Sequence, residues 1–226
     1  MEPALDKFIP NLKFIVSFEM NKIIDNYNAW ANRYDEAPNP TSDLDKIVLR
    51  QSLSSIDFFK VLELGCGTGK NTEWLITKAD SLIGLDFSKN MLDIAKNKIQ
   101  SDKVTFIETD LNEAWPVKNE SFDLAVISLT LEHIKKLDHI FISLFEKLKK
   151  GGKCFVSELH PKKQLLGSKA RFIEYGEEVV LDAFQHLEKD YIQSAENSGL
   201  TLLNKKDWYD DKKDIPRLIT LLFEKL

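Results

Sequence analysis

Short apolar runs alternate with stretches of helical periodicity along residues 58–158, and this alternation constrains the fold more than any other feature of the sequence. A chain that passes repeatedly from a buried strand to a helix and back builds a parallel sheet with helices on both faces. Strands are predicted at residues 59–64, 81–85, 104–107, 122–127 and 153–157, and helices at 71–78, 88–99 and 137–148. The fold class is therefore α/β, with a doubly wound sheet.

Helices are predicted before this region and a hairpin after it. Apolar side chains recur at steps of three or four within residues 1–34, and Ser42 or Asp43 is a candidate N-cap for a second helix. After residue 158 the alternation stops, and two short β patterns around Gly176 predict an inserted β-hairpin. We expect one domain over residues 1–226, a length that α/β folds often use. Its expected parts are a helical cap (1–57), a core (58–158), an excursion (159–185), and a closing helix with strands (186–226).

Composition and charge argue against several functional classes. The chain is 43% hydrophobic and 30% charged, an ordinary globular composition, and its net charge of −5 argues against a broad nucleic-acid-binding face. No apolar run approaches the roughly 18 residues of a membrane span, and residues 1–6 lack a secretory signal. Neither Cys66 nor Cys154 has a partner at metal-ligand spacing. We expect a cytoplasmic protein with no metal and no disulfide framework.

Glycines at alternate positions end the first predicted strand and lead into a helix, in the segment Val61–Gly69. Gly65, Gly67 and Gly69 leave the backbone bare, which allows a bound group to approach it closely. The helix that follows begins with unpaired N–H donors. This turn is therefore a candidate for binding a nucleotide-like ligand.

Acidic side chains lie at or near the ends of three consecutive predicted strands. Glu63, Asp86 and Asp110 should meet at one edge, because the carboxyl ends of parallel strands share it. Asp86 also lies where a nucleotide-binding βαβ unit places the carboxylate that binds ribose. The alternative is that each acid caps a helix, which Asp86 could do from its position before Ser88.

Five segments of the core resemble, in order, the motifs of the class I S-adenosylmethionine-dependent methyltransferases, especially their small-molecule branch. They are Glu63-Leu-Gly-Cys-Gly-Thr-Gly69, residues 84–88, residues 109–111, residues 121–134 and residues 148–155. The resemblance covers residues 58–158 closely and the flanks loosely. It implies a Rossmann-like sheet of seven strands, mostly parallel, with the last strand antiparallel.

The resemblance also implies S-adenosylmethionine as cofactor and assigns its contacts. The implied cofactor-binding residues are Tyr34, Glu63, Gly65, Cys66, Gly67, Asp86, Phe87, Met91, Asp110, Leu111 and Ser128. Glu63 and the glycines would contact the methionyl part, and the two oxygens of Asp86 suit the ribose diol. Phe87 and Met91 would line one face of the adenine. The other face would meet Leu111, with Asp110 accepting from the adenine amino group.

In this class the methyl group is already activated, so alignment and exclusion of water supply most of the catalysis. We expect methyl transfer to an oxygen or nitrogen of a small molecule bound between the helical cap and residues 159–185. His133 and His160 are candidate general bases, because imidazole titrates near neutrality; the alternative for each is a structural histidine. The oligomeric state is left open.

The excursion is expected to shape the acceptor pocket, since loops at the carboxyl edge of a sheet determine what binds there. Candidate apolar lining residues are Leu165, Leu166, Phe172, Ile173 and Phe184. Candidate contacts for an anionic group are Lys162, Lys163, Lys169 and Arg171. The alternative is a solvated hairpin that packs its apolar side on the sheet.

Two other functions fit part of the pattern. A nicotinamide-dependent oxidoreductase would also use the glycine turn and Asp86, although Asp110-Leu111 and residues 131–134 favour the sulfonium cofactor. A non-catalytic module that binds S-adenosylmethionine is the third interpretation.

Overall fold

The computed structural model describes residues 9–36, 38–210 and 214–226. Its strands are β1 (Lys60–Leu64), β2 (Ser81–Asp86), β3 (Val104–Glu108), β4 (Phe122–Ser128), β5 (Leu148–Leu159), β6 (Arg171–Glu174), β7 (Glu177–Val180), β8 (Leu200–Trp208) and β9 (Leu218–Lys225). Its α-helices are α1 (Ile9–Tyr34), α2 (Pro40–Leu53), α3 (Thr72–Lys78), α4 (Lys89–Lys98), α5 (Leu137–Lys147), α6 (Pro161–Leu165) and α7 (Glu188–Asn197). A 3₁₀ turn spans Leu131–His133.

Seven strands form one sheet in the order β3-β2-β1-β4-β5-β9-β8. The first five are parallel to one another, and β9 is antiparallel to both of its neighbours. The predicted seven-stranded, mostly parallel sheet with an antiparallel last strand is confirmed. Because β2 and β4 flank β1 on opposite sides, the strand order reverses there, and open sheets bind ligands at such a switch point.

Both faces of the sheet are covered, as the near-continuous apolar runs of its parallel strands require. On one face α5 and α7 bury large side chains against the sheet, among them Phe141 and Tyr191, and Phe141 packs on Phe223 of β9. On the other face α2 and α3 bury Leu49 and Leu75. The core therefore holds β1 and β4 rigidly between two helical layers, with their carboxyl ends free to build a site.

The helix α2 begins earlier than the sequence predicts. Its N-cap is Asn39, whose Oδ1 accepts a hydrogen bond from Ser42 N at 3.0 Å, so the prediction of Ser42 or Asp43 as cap is wrong. The physical reason is Pro40 at the first helical position, where a fixed φ and a missing N–H favour helix initiation.

The predicted hairpin is confirmed as β6 and β7, with Gly176 at φ +86° in its turn. It packs on α1, where the rings of Trp30 and Phe172 stack with centroids 5.1 Å apart. The apolar lining predicted from Leu165, Leu166 and Ile173 is wrong, because all three side chains are more than half exposed. Cap and hairpin thus meet above the carboxyl edge of the sheet.

Among residues 9–36, 38–210 and 214–226, no helix combines the length and the apolar character that crossing a membrane requires.

Candidate active site

Three cavities lie side by side at the carboxyl edge of the sheet. We name them the Asp86 cavity, of about 50 Å³, the Glu63 cavity, of about 40 Å³, and the Trp30 cavity, of about 310 Å³. Tyr34, at the end of α1, and Leu129, just after β4, line all three. A reaction between ligands in different cavities would take place beside these two side chains.

The glycine turn between β1 and α3 is fixed by β2. Gly65 N and Cys66 N donate to Leu85 O at 2.8 and 3.1 Å. Gly65 has φ +65°, and a Cβ there would lie 2.1 Å from the Thr130 hydroxyl oxygen. A Cβ at Gly67, φ +52°, would meet nothing within 4 Å, and this residue lines the Asp86 cavity. Packing against Thr130 therefore requires a residue without a side chain at Gly65. At Gly67 the bare backbone faces the Asp86 cavity.

Cys66 lies in the same turn, but its side chain is buried. Its sulfur would be 2.9 Å from a Cβ built on Gly84 of β2, so the thiol packs between the turn and the sheet. Burial raises the pKa of Cys66 well above its ordinary value. The thiol is thus a neutral packing group, and the lining residues of the three cavities do not include it.

The Asp86 carboxylate is oriented by the backbone on both sides of the cleft. One oxygen accepts from Gly67 N and the other from Ser88 N, each at 2.8 Å. Burial raises its pKa to about 6. The N-cap of α4 is Ser88, whose hydroxyl accepts from Met91 N, so helix capping does not explain Asp86. Each oxygen retains acceptor capacity beyond its backbone hydrogen bond, as binding of a diol requires.

Phe87 and Met91 line the Asp86 cavity. Asp110 and Leu111 do not line any of the three cavities. Asp110 Oδ1 accepts from the backbone N–H and the side-chain amide of Asn112, both at 2.8 Å, in the turn after β3. Leu111 is buried in the core. The adenine contacts of these two residues remain predictions.

The Glu63 cavity is strongly polar. Thr72 donates its hydroxyl to Glu63 at 2.5 Å, and burial raises the pKa of Glu63 to about 8. Lys70 also lines this cavity and donates to the Ser42 hydroxyl at 2.6 Å. A buried Asp45 oxygen has no hydrogen-bond partner among the described residues. Acidic groups and an ammonium around one small space suit the amino and carboxylate groups of an amino acid.

The backbone turns sharply after β4, which ends at Ser128. Leu129 has φ +52°, a conformation that costs a non-glycine residue roughly 1–3 kcal/mol and clusters at functional sites. The turn is held from β5: Ser157 O accepts from Leu129 N, and Glu158 Oε1 accepts from the N–H groups of Thr130 and Leu131 at 2.9 and 2.8 Å. Glu158 is not among the site residues predicted from the sequence, although an acid at the end of an otherwise apolar strand indicates it.

His133 lines the Asp86 cavity, beside Tyr27, which lines both the Asp86 cavity and the Trp30 cavity. The two side chains are joined by a Tyr27 OH to His133 Nε2 distance of 2.8 Å, and His133 Nδ1 lies 3.2 Å from Asp182 O. Burial lowers the pKa of His133 to about 4 and raises that of Tyr27 well above its usual value. Both groups are therefore neutral at pH 7, with Nδ1–H donating to the carbonyl and Nε2 accepting from Tyr27. Tyr27 is not among the site residues predicted from the sequence, in which it is one of the apolar side chains that recur at steps of three or four within residues 1–34.

His160 is placed apart from the three cavities. It is the N-cap of α6, where its Nδ1 accepts from Lys162 N at 3.1 Å. Its Nε2 lies 3.5 Å from Asp207, and with Glu188 these form a group whose potential metal-ligating atoms lie within 4.8 Å of one another. Glu188 is already paired with Lys205 at 2.6 Å. The geometry favours the structural interpretation of His160.

A glycine turn and a buried carboxylate at the switch point of a parallel sheet are typical of the Rossmann-like enzymes that bind nucleosides or dinucleotides. Residues 62–156 match a family model described as a methyltransferase domain.

Relatives and solved structures agree with this match. An uncharacterized methyltransferase of Emericella nidulans is 26% identical, over 90% of this chain and 85% of the relative. The demethylmenaquinone methyltransferase of Lactococcus lactis is 30% identical, over 60% of this chain and 58% of the relative. The N-methyltransferase NodS of Bradyrhizobium japonicum, solved with S-adenosylhomocysteine, shares the fold with a TM-score of 0.68 and 18% identity, over 89% of this chain and 96% of that one.

Residues 62–156 are thus a methyltransferase domain, and the chain shares the fold of the S-adenosylmethionine-dependent methyltransferases. The predictions of the family, of the enzyme class and of S-adenosylmethionine as cofactor are confirmed. A nicotinamide-dependent oxidoreductase is not supported by any of these comparisons.

Proposed function

We propose that the protein transfers a methyl group from S-adenosylmethionine to an oxygen or nitrogen of a small molecule bound in the Trp30 cavity. The observation that carries this proposal is the arrangement of the cavities, since Tyr34 and Leu129 line all three. Eight of the eleven predicted donor contacts line the two small cavities, and the large cavity shares Tyr34 and Leu129 with both of them.

The donor contacts follow from the polarity of each cavity. Asp86 holds the ribose hydroxyls with oxygens that the Gly67 and Ser88 N–H groups have already oriented. Phe87 and Met91 pack on the adenine. Glu63 and the bare backbone at Gly65 bind the methionyl end, and Ser128, which lines both small cavities, lies between the two parts.

When bound, the cofactor supplies a methyl group on a sulfonium, which needs no covalent catalysis from the protein. The contribution of the chain is alignment and exclusion of water, for which holding the reacting atoms in line is worth several kcal/mol. Leu129 and Tyr34 line all three cavities, and Trp30 adds apolar surface to the large one. An acceptor in this cavity would lie between the helical cap and residues 168–171.

The size of the Trp30 cavity supports a small acceptor. About 310 Å³ is at the lower end of the range for small-molecule sites. The net charge of −5 argues against a nucleic acid as the acceptor. One relative is named for a demethylmenaquinone substrate, which is also a small molecule.

Calorimetry with S-adenosylmethionine, S-adenosylhomocysteine and NAD tests the donor, and release of S-adenosylhomocysteine with a panel of alcohols, amines and phenols tests the reaction. We expect binding of the first two ligands, no binding of NAD, and turnover with at least one acceptor. Binding of both adenosyl ligands without turnover on any acceptor would favour the non-catalytic module.

A further inference from the structure

One carboxylate in the Trp30 cavity is buried, and one of its oxygens accepts no hydrogen bond from the described residues. Glu132, in the 3₁₀ turn after β4, is 5% exposed and lines the cavity. Its Oε2 has no hydrogen-bond partner within the described part of the chain. Gln164 is near enough to lower the pKa of Glu132 but does not line this cavity. A buried carboxylate without a partner is costly, and a ligand that donates to it would remove that cost.

The neighbouring polar groups present acceptors rather than donors. The Tyr27 hydroxyl donates its proton to His133 Nε2, and the His133 Nδ1–H donates to Asp182 O. The hydroxyl of Tyr27, which also lines the cavity, therefore has only oxygen lone pairs left to offer a ligand. Glu132 Oε1 lies 3.8 Å from His133 Nε2, so the Glu132 and Tyr27 oxygens belong to one corner. A ligand group with two or three N–H donors satisfies that corner, whereas a hydroxyl supplies one donor and a carboxylate none.

Aromatic rings line the same cavity. Trp30 lies between Tyr27 and Tyr34 on α1, with ring centroids 5.9 and 4.7 Å from theirs. Aromatic faces attract ammonium and alkylammonium groups. The methylated product of an amine is also a cation, so the same rings suit substrate and product.

Three cationic side chains line the Trp30 cavity, and they differ in whether a carboxylate of the chain pairs with them. Arg217 is paired with Asp210 and also donates to Thr41, and Arg171 lies 3.4 Å from Glu178. Lys169 is exposed and forms no ion pair with the described residues, although its charge acts on Glu132 from a distance and lowers the pKa of that carboxyl. One free positive charge thus remains on the lining, at a solvent-exposed position suited to an anionic group of the ligand.

We propose that the methyl acceptor is a primary or secondary amine that carries an anionic group, with its nitrogen at Glu132 and Tyr27 and its anion at Lys169. This inference rests on the proposed function and names the substrate class of the same site.

The proposed chemistry balances with groups on the chain. The ammonium transfers one proton to the Glu132 carboxylate, which leaves a neutral amine with a free lone pair. That lone pair forms the N–C bond while the S–C bond breaks and its electrons stay on sulfur as a thioether. The positive charge passes to the product nitrogen. Burial raises the pKa of Glu132 to about 7, which brings the carboxyl into the range in which it accepts and releases a proton at neutral pH.

A matched set of probes tests the inference on the wild-type protein. L-Phenylalanine has both groups, phenethylamine lacks the carboxylate, and L-phenyllactate replaces the amine by a hydroxyl; glycine and L-leucine vary the size. We expect methylated amines, with the amino acids favoured over phenethylamine. Turnover of hydroxyl acceptors with no methylated amine would overturn the inference and leave the proposed function standing. No binding of S-adenosylhomocysteine would instead contradict the proposed function.

Two substitutions locate the effect. We expect E132Q to lower kcat/KM for the amine at least 100-fold while the Kd for S-adenosylhomocysteine stays within about twofold, and E196Q, an exposed site on α7, to behave as wild type. We expect K169Q to raise KM about tenfold for the amino acid but not for phenethylamine. Amine turnover retained by E132Q would refute the role of Glu132 as the group that binds the amine. If E132Q does not fold, E132D and the probe panel on the wild-type protein provide the test.

Discussion

The hydrogen bonds that stabilise the buried carboxylate of Asp86 also orient it for its predicted role, which is to bind the ribose hydroxyls. Gly67 N and Ser88 N fix its two oxygens, and the residue lines a cavity in which a ligand can donate to the remaining lone pairs. Sequence spacing was sufficient to predict this residue, because strand ends and a glycine turn are set by local sequence.

We expect D86A to weaken binding of S-adenosylhomocysteine by ten- to a hundredfold. The ribose loses a charge-assisted partner worth about 1.5–3 kcal/mol. Calorimetry measures the change, and D93A, on the exposed side of α4, is the control. An affinity equal to that of the wild type would mean that Asp86 does not bind the ribose.

The role of Tyr27 could not be predicted from the sequence, because it depends on a contact between distant parts of the chain. Tyr27 is one of several aromatic residues in the stripe of α1, and nothing local to it indicates that His133 lies 2.8 Å away. That pair is 106 residues apart in sequence and exists only because α1 packs over the end of β4.

We expect Y27F to lower kcat and to leave the affinity for S-adenosylhomocysteine within about twofold. The ring stays, but His133 Nε2 loses its donor and the cavity loses an oxygen. An unpaired buried acceptor should also reduce the free energy of unfolding by about 1–3 kcal/mol. Steady-state kinetics and urea unfolding check this, with the half-exposed Tyr209 changed to Phe as control. A kcat for Y27F equal to that of the wild type would mean that the Tyr27 hydroxyl does not contribute to the reaction.

At the scale of elements, the glycine turn is the part that the sequence predicts best. Its alternating glycines are needed for two different reasons, close packing at Gly65 and an open cavity at Gly67. Both follow from a backbone path that side chains would obstruct or strain.

We expect G65A to destabilise the fold more than G151A, which is a matched comparison. Both sites have positive φ, +65° and +76°, so each alanine costs roughly 1–2 kcal/mol of backbone strain. Only Gly65 faces a clash, with Thr130, which adds about 1–3 kcal/mol. Urea unfolding of the two variants measures the difference. Equal losses would show that the turn accommodates a side chain.

Element boundaries were predicted less well than element types. The sequence places the start of the fifth strand at residue 153, whereas β5 begins at Leu148, directly after α5. The lysine-rich, glycine-containing segment 148–152 has the local features of a helix end and loop. Its early pairing arises from Phe122 opposite Leu148, a contact across the sheet that local sequence does not encode.

At the scale of the whole molecule, the acceptor site joins parts of the chain that are distant in sequence. Trp30 of α1 stacks on Phe172 of the hairpin, and residues from both parts line the Trp30 cavity. The sequence predicts a cap and a hairpin near this edge. It does not predict the lining, because that depends on how the two pack on each other.

Buried carboxyl groups around the cleft should make the stability of the whole protein depend on pH. Burial raises the pKa of Glu63 and of Glu158 to about 8 and that of Glu132 to about 7. The native state therefore holds protons that the unfolded chain releases near pH 4.5, so stability falls as pH rises toward 8. His133, with its pKa lowered to about 4, has the opposite effect only below about pH 6.5.

We expect the free energy of unfolding to fall between pH 7 and pH 8, by at most about 1.4 kcal/mol per pH unit for each carboxyl that is still protonated. Urea unfolding without ligand at the two pH values measures the slope. E158Q should reduce it, because the amide keeps an acceptor oxygen for Thr130 N and Leu131 N but has no proton to release. A wild-type slope near zero, or one that E158Q leaves unchanged, would mean that Glu158 is already ionised in the fold at pH 7.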